Sequence, residues 1–211
     1  MKKLLRCLLV AALGLLAGCM DITIDLKVND TGRATQNITI MMKASDLPDG
    51  TDYTVENMQY LKEALAHEGN DVRITDISEG KGENARFGFV AENTAPFGSV
   101  REEGSTIMLE VSAEQILKRL AESMEFSRSE LIEMKKRGMR LILNVQMPFK
   151  PTASLGKVEG NTVTIDMLDL PGGVDTIEIR CSRPHILPAV IAAVLGLLFL
   201  AGFFMTRKRK V

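Results

Sequence analysis

Polar and apolar residues alternate one for one from Ile22 to Val28, with Ile22, Ile24, Leu26 and Val28 on one side and Thr23, Asp25 and Lys27 on the other. A period of two is the repeat of a pleated strand, whose successive side chains point to opposite faces. Asn29-Asp30-Thr31-Gly32 then supplies turn residues, and Ile38, Ile40 and Met42 resume the pattern, so the stretch predicts a β-hairpin. A second pair follows, Val72 and Ile74 leading through Gly80-Lys81-Gly82 to Phe87 and Phe89, and then a strand carrying Ile107, Leu109 and Val111. Met139, Leu141, Leu143, Val145 and Met147 repeat the scheme, as do Val163, Ile165 and Met167, and finally Ile177, Ile179 and Cys181. Strands with one wet and one buried face belong to antiparallel sheets.

Three stretches follow a helical period instead. Val55, Met58, Leu61 and Leu65 form one stripe, stopped by Gly69; Ile116, Leu117, Leu120 and Met124 form a second; Leu131, Ile132 and Met134 form a third. Ser112 with Gln115 and Ser127 with Glu130 have the spacing of capping boxes for the last two. The expected fold is α+β, a curved antiparallel sheet of about eight strands with helices packed on one face.

The two ends of the chain follow neither period. Lys2, Lys3 and Arg6 precede an apolar run from Cys7 to Leu16 that is too short to span a bilayer, the layout of an export signal. It closes on Leu16-Ala17-Gly18-Cys19, the tetrad that bacterial lipoprotein signal peptidase recognises, which makes 1–18 a lipoprotein signal and Cys19 the acylated first residue of the mature chain. Residues 186–205 are uncharged and apolar, about the length that crosses the hydrocarbon layer. Arg207, Lys208, Arg209 and Lys210 come directly after, so the positive-inside rule assigns 206–211 to the cytoplasm. Residues 19–183 are then one extracytoplasmic domain, tied to the cell membrane by a lipid at one end and a single-pass helix at the other.

Composition narrows the chemistry. A formal net charge of -1 with 25% charged residues gives no basic excess for nucleic acid. Of three cysteines, Cys7 leaves with the signal and Cys19 carries lipid, so Cys181 has no internal disulfide partner; its place in the alternation makes it a buried small hydrophobe. His67 and His185 stand at a helix end and beside the apolar run, neither in a setting for a general base. No phosphate loop, nucleophile elbow or paired metal-ligand spacing occurs, and Asp166 and Asp169 fall on the solvated side of a strand and its turn. The chain is therefore read as a non-enzyme with no cofactor and no metal.

The tetrad ending at Cys19, the immediate hairpin from Asp21 to Gly32, Met147-Pro148-Phe149, the stretch Gly160 to Asp166 and a closing membrane helix together resemble the mycobacterial LppM-type lipoproteins and their relatives in other bacteria. The resemblance covers most of the domain, although Ile165 stands where many relatives have Trp. It implies a surface-exposed α/β domain that contacts membrane lipids, with mannosylated phosphatidylinositols the ligands associated with the mycobacterial members; no binding position is carried over.

Geometry adds an expectation of its own. The first strand starts just after Cys19 and the last ends near Cys181, so both ends are expected at the bilayer, the first strand running away from it and the last returning alongside. Two function classes follow. In the first, the domain binds a phospholipid or glycolipid between sheet and helices, with Phe87, Phe89, Leu117, Met139 and Leu141 lining the pocket. In the second, it is a protein-interaction, assembly or sensing module for other envelope proteins, with its interior filled.

Overall fold

The computed structural model describes residues 20–43, 71–81, 85–123 and 138–184, together with helical positions 59, 61–63, 65, 66, 133, 135 and 136. Cys19, both terminal segments, the Ser127–Glu130 capping box and the two histidines lie outside the described residues. Eleven strands are described: β1 (Met20–Val28), β2 (Ala34–Lys43), β3 (Arg73–Glu79), β4 (Arg86–Thr94), β5 (Gly98–Glu103), β6 (Thr106–Ser112), β7 (Arg140–Gln146), β8 (Pro151–Ala153), β9 (Lys157–Glu159), β10 (Thr162–Asp166) and β11 (Thr176–Ser182). One helix, α1 (Ala113–Ser123), follows β6 directly.

The expected hairpin forms, β1 pairing antiparallel with β2 from Met20↔Met42 to Val28↔Ala34. Its turn is tied by the Asn29 side chain, whose Oδ1 accepts from Thr31 N at 3.0 Å and Arg33 N at 2.8 Å. At the start of α1, Ser112 Oγ accepts from Gln115 N at 3.2 Å, half of the expected capping box.

The single antiparallel sheet is corrected to two sheets. Seven strands lie in the order β3-β4-β2-β1-β7-β10-β9 and four in the order β5-β6-β11-β8. The larger sheet is mixed, because β1 and β7 run parallel in the register Asp21↔Arg140 to Lys27↔Gln146. With β2 on one side and β7 on the other, β1 has no free edge, so the last strand cannot pair with it. Instead β11 pairs with β6 and β8 in the smaller sheet. Alternation states which side chains turn inward, and that information is the same whichever strand lies alongside.

Inward residues of both sheets form one core. Ile22, Ile24, Leu26, Ile38, Ile40, Leu141, Leu143 and Val145 from the larger sheet cluster with Ile107, Leu109, Val111, Ile177, Ile179 and Cys181 from the smaller. Ile116 of α1 is buried in the same cluster, while Leu61, Leu65 and Leu117 pack against it half-buried, so three of the expected helical positions cover its border. Among the described residues, the smaller sheet lies over the core where helices alone were expected. Each fully buried Leu or Ile contributes roughly 1.5–3 kcal/mol of transfer free energy, enough to make this shared core the main source of stability.

The chain crosses from one sheet to the other after β4, and a buried polar group marks the place. Gln36, with no exposed surface, donates from Nε2 to Thr94 Oγ1 at 3.0 Å and to Ala95 O at 3.0 Å, while its Oε1 accepts from Phe97 N at 2.9 Å. The β2–β4 register shifts between Gln36 and Ile38, and Asn93 opposite has a positive φ of 60°. An extra residue in one strand of a pair sharpens the local bend. Gln36 thus bonds backbone groups of the connection that follows the bulged strand, where the ladder has ended.

Candidate functional site

The outer face of the larger sheet carries the polar half of each alternation, and register sets those side chains in rows. Asp25 of β1 lies opposite Asn37 of β2 and Asn144 of β7, and Asn144 lies opposite Thr164 of β10. Two residues along, the corresponding row is Thr35, Lys27, Gln146 and Thr162. Neighbouring strands are about 4.8 Å apart, so each row places four polar groups over roughly 14 Å.

A cleft of about 450 Å³ opens over these rows, lined by Asp25, Leu26, Lys27, Thr35, Asn37, Asn144, Gln146 and Thr162. The first row is internally bonded. Thr164 Oγ1 donates to Asn144 Oδ1 at 3.0 Å, Asn144 Nδ2 donates to Asp25 Oδ1 at 2.9 Å, and Asn37 Oδ1 accepts from Asn93 N at 3.2 Å. This chain orients each carboxamide and holds the Asp25 carboxylate on one side, leaving its second oxygen available as an acceptor. Lys27 and Gln146 of the second row have no side-chain hydrogen bond or ion pair among the described residues, so their donors are open to a bound molecule. One carboxylate, one ammonium, carboxamides and hydroxyls make a surface that matches a polar, uncharged group rich in donors and acceptors. Beyond β10, the exposed Lys157 and Glu159 hydrogen-bond at 2.5 Å; that bond and the attraction between the charges hold Lys157 above and Glu159 below their ordinary values.

The residues expected to line an internal lipid pocket are distributed differently. Phe89, Met139 and Leu141 are core side chains with 0%, 2% and 0% of their surface exposed, leaving essentially no contact area for a ligand. Phe87 and Leu117 sit half-buried at the core's border. The Lys62 ammonium lies 5.8 Å from the centre of the Phe89 ring, which places the helical residues near 62 over this part of the sheet. Asp166 and Asp169 are both engaged locally, Asp166 Oδ1 accepting from Leu168 N at 3.0 Å and Asp169 pairing with Lys135. No group of three or more His, Cys, Asp or Glu suited to a metal occurs among the described residues.

Asp25 and Lys27 were legible in the sequence as outward residues of the first strand, but nothing local assigns them a site. Their partners Asn144, Gln146 and Thr162 lie more than 100 residues away in the chain and reach them only through the parallel β1–β7 pairing.

Neither a family model nor a curated protein matches the chain. A solved structure with a similar fold is the folded domain of Mycobacterium tuberculosis LppM, at 11% identity and a TM-score of 0.39, covering 78% of this chain and 90% of that one. The likeness stays at the level of a distant fold relationship, and no residue role is carried across it. No described helix is long and apolar enough to cross a membrane; residues 186–205 are not among the described ones.

Proposed function

We propose that this chain is a membrane-anchored surface lipoprotein whose extracytoplasmic domain contacts the head groups of membrane lipids or glycolipids through the polar cleft on its larger sheet. The anchoring half of the reading comes from the Cys19 tetrad and the apolar run at 186–205 followed by four basic residues. The contact half is carried by the cleft, where oriented carboxamides and hydroxyls stand beside free donors from Lys27 and Gln146. A polyhydroxylated head group offers both donors and acceptors to such a surface. An acyl chain inside the domain is the less favoured form of the reading, because Phe89, Leu141, Leu143 and Ile107 already fill the space between the sheets.

The test is native mass spectrometry of the chain extracted from its own membranes in mild detergent, with wild type and Asn144→Leu side by side. Wild type should carry a lipid mass beyond the covalent anchor, and the variant, which removes the bonds to Asp25 and Thr164 while keeping the side-chain size, should lose it. Retention of the same lipid by Asn144→Leu would remove the cleft from the reading. The filled interior also suits the second class, a protein-interaction module of the envelope without a lipid ligand. That reading would be favoured by cross-links from the cleft rim to another envelope protein with no lipid retained.

A further inference from the structure

The last strand leaves the domain at the end of β1 that lies away from Met20. Arg183, next after β11, donates from its backbone N to Ser105 O at 2.8 Å, and its Nη2 donates to Asp30 O at 2.7 Å and Glu102 Oε2 at 3.0 Å. Asp30 is in the turn that follows β1. Gly32 of the same turn packs against the Glu102 side chain, whose Oε1 occupies the space a Cβ there would take. The turn, the β5–β6 hairpin and the exit of β11 therefore form one tied end of the domain, and Met20 is at the other. This corrects the expectation that the first strand runs away from the bilayer and the last returns to it: both run toward the same end.

The nine residues of β1 rise about 3.3 Å each, so Met20 and Val28 are roughly 26 Å apart. Cys19 is one chain step before Met20, and Ile186, where the apolar run begins, is three steps after Arg183. Three extended steps reach at most about 11 Å, so a domain standing upright on Cys19 would hold Arg183 too far from the membrane for the run to enter it. An 11 Å reach covers the spacing of about 10 Å between facing sheets, so lying on the outer face of the larger sheet asks far less of the link from Arg183 than the roughly 26 Å of the upright pose. β1 has three strands on either side in its sheet, so neither sheet edge is close to both anchors. Its inner face is covered by the smaller sheet and the helical residues that pack on the core.

We propose that the domain lies on its side, with β1 running along the membrane plane and the outer face of the seven-stranded sheet resting on the lipid head groups. The inference rests on the anchoring reading above and adds to it an orientation and a contacting face. Its occupant is the head-group layer of the same membrane that holds both anchors, and the cleft over Asp25, Lys27 and Gln146 opens directly onto it.

The test uses the full acylated chain in vesicles of phosphatidylcholine and phosphatidylglycerol at a ratio of about 3:1, where the face should rest whichever head group fills the cleft. Single labels are attached at Lys43→Cys beside Met20, Thr31→Cys in the distal turn, Thr164→Cys on the outer face and Thr152→Cys on the outward side of the smaller sheet. Cys181, which is 3% exposed, stays unlabelled. Energy transfer to a lipid-borne acceptor reads the height of each label. Lys43, Thr31 and Thr164 should lie within about 10 Å of one another in height, and Thr152 at least about 10 Å farther out. A Thr31 label higher than Lys43 by about the length of β1, or a Thr152 label closest to the lipid, would overturn the orientation while leaving the anchoring intact. A chain that does not float with the vesicles would bring down the anchoring and the orientation together.

Discussion

Gln36 Nε2 donates to Thr94 Oγ1 at 3.0 Å in the interior of the domain, and the Thr94 hydroxyl lies 3.3 Å from the Gln36 carbonyl oxygen. With 0% and 2% of their surfaces exposed, the two are the buried polar residues among those described, and they sit where the chain leaves the larger sheet for the smaller one. Removing one partner of a buried pair costs more than the pair contributes, because the other is left desolvated and unbonded.

Gln36→Leu should therefore lower stability by about 1–3 kcal/mol, since it removes the carboxamide's buried bonds to Thr94 Oγ1, Ala95 O and Phe97 N together, leaving Thr94 its bond to the main-chain carbonyl of residue 36. Thr94→Val alone should cost less, and the double variant less than the sum of the two. Urea unfolding of the detergent-solubilised chain measures all three; strict additivity would show that the residues act separately.

Gly156 and Gly104 both have positive φ, 94° and 61°, but their surroundings differ. A Cβ at Gly156 would meet Ile165 Cγ1 at 2.5 Å and Thr164 O at 2.7 Å, where the β8–β9 connection lies against β10; at Gly104 it meets nothing within 4 Å. Gly156→Ala should cost about 2 kcal/mol or more from strain and clash together, whereas Gly104→Asn should stay within about 1 kcal/mol. Melting temperatures of the two variants that did not separate in this order would refute the close-packing argument.

Burial pushes the Cys181 thiol above its ordinary value, an effect that a backbone hydrogen bond with Phe149 and the nearby charge of Arg183 only partly offset. The folded state thus binds the thiol proton more tightly than the unfolded state. This contribution to stability is intact at neutral pH and declines as pH rises past the unfolded thiol value of about 8.5. A thiol reagent at pH 8 should label Cys181 slowly in the folded chain and rapidly in urea. Equal rates in the two states would place Cys181 on the surface.

Cys19→Ser should abolish acylation and leave the signal attached, while the apolar run at 186–205 still holds the chain in the membrane. Intact mass and fractionation read both outcomes. An unmodified N-terminus at some residue other than 19 in the wild-type chain would refute the lipoprotein assignment.

Eight of the strands are visible in the sequence because alternation is a local property: Ile22 to Val28, Ile38 to Met42 and Ile177 to Cys181 each state which side chains face inward. β5, β8 and β9 are not visible in this way. Gly98–Glu103 is largely polar and lies at a sheet edge, and the other two have three residues each, so little burial shapes their composition. Gln36 did leave a trace, since it occupies an inward position one repeat before Ile38, where a polar residue needs a partner. What that partner is, and that it lies 58 positions onward, depends on the bulge opposite.

The amino-acid sequence by itself determined the faces of the strands, the hairpin turn at Asn29, the cap at Ser112, the buried thiol and the expected anchors at either end. Tertiary structure alone decided that β1 lies between β2 and β7, that the strands divide into two sheets, that Asp25 meets Asn144 across a parallel pair, and that Arg183 returns to Asp30. The physical reason is that a period of two and a turn residue act over a few neighbouring positions, whereas the choice of partner strand is made by contacts across the whole core, and any strand with the same inward face satisfies the same local pattern.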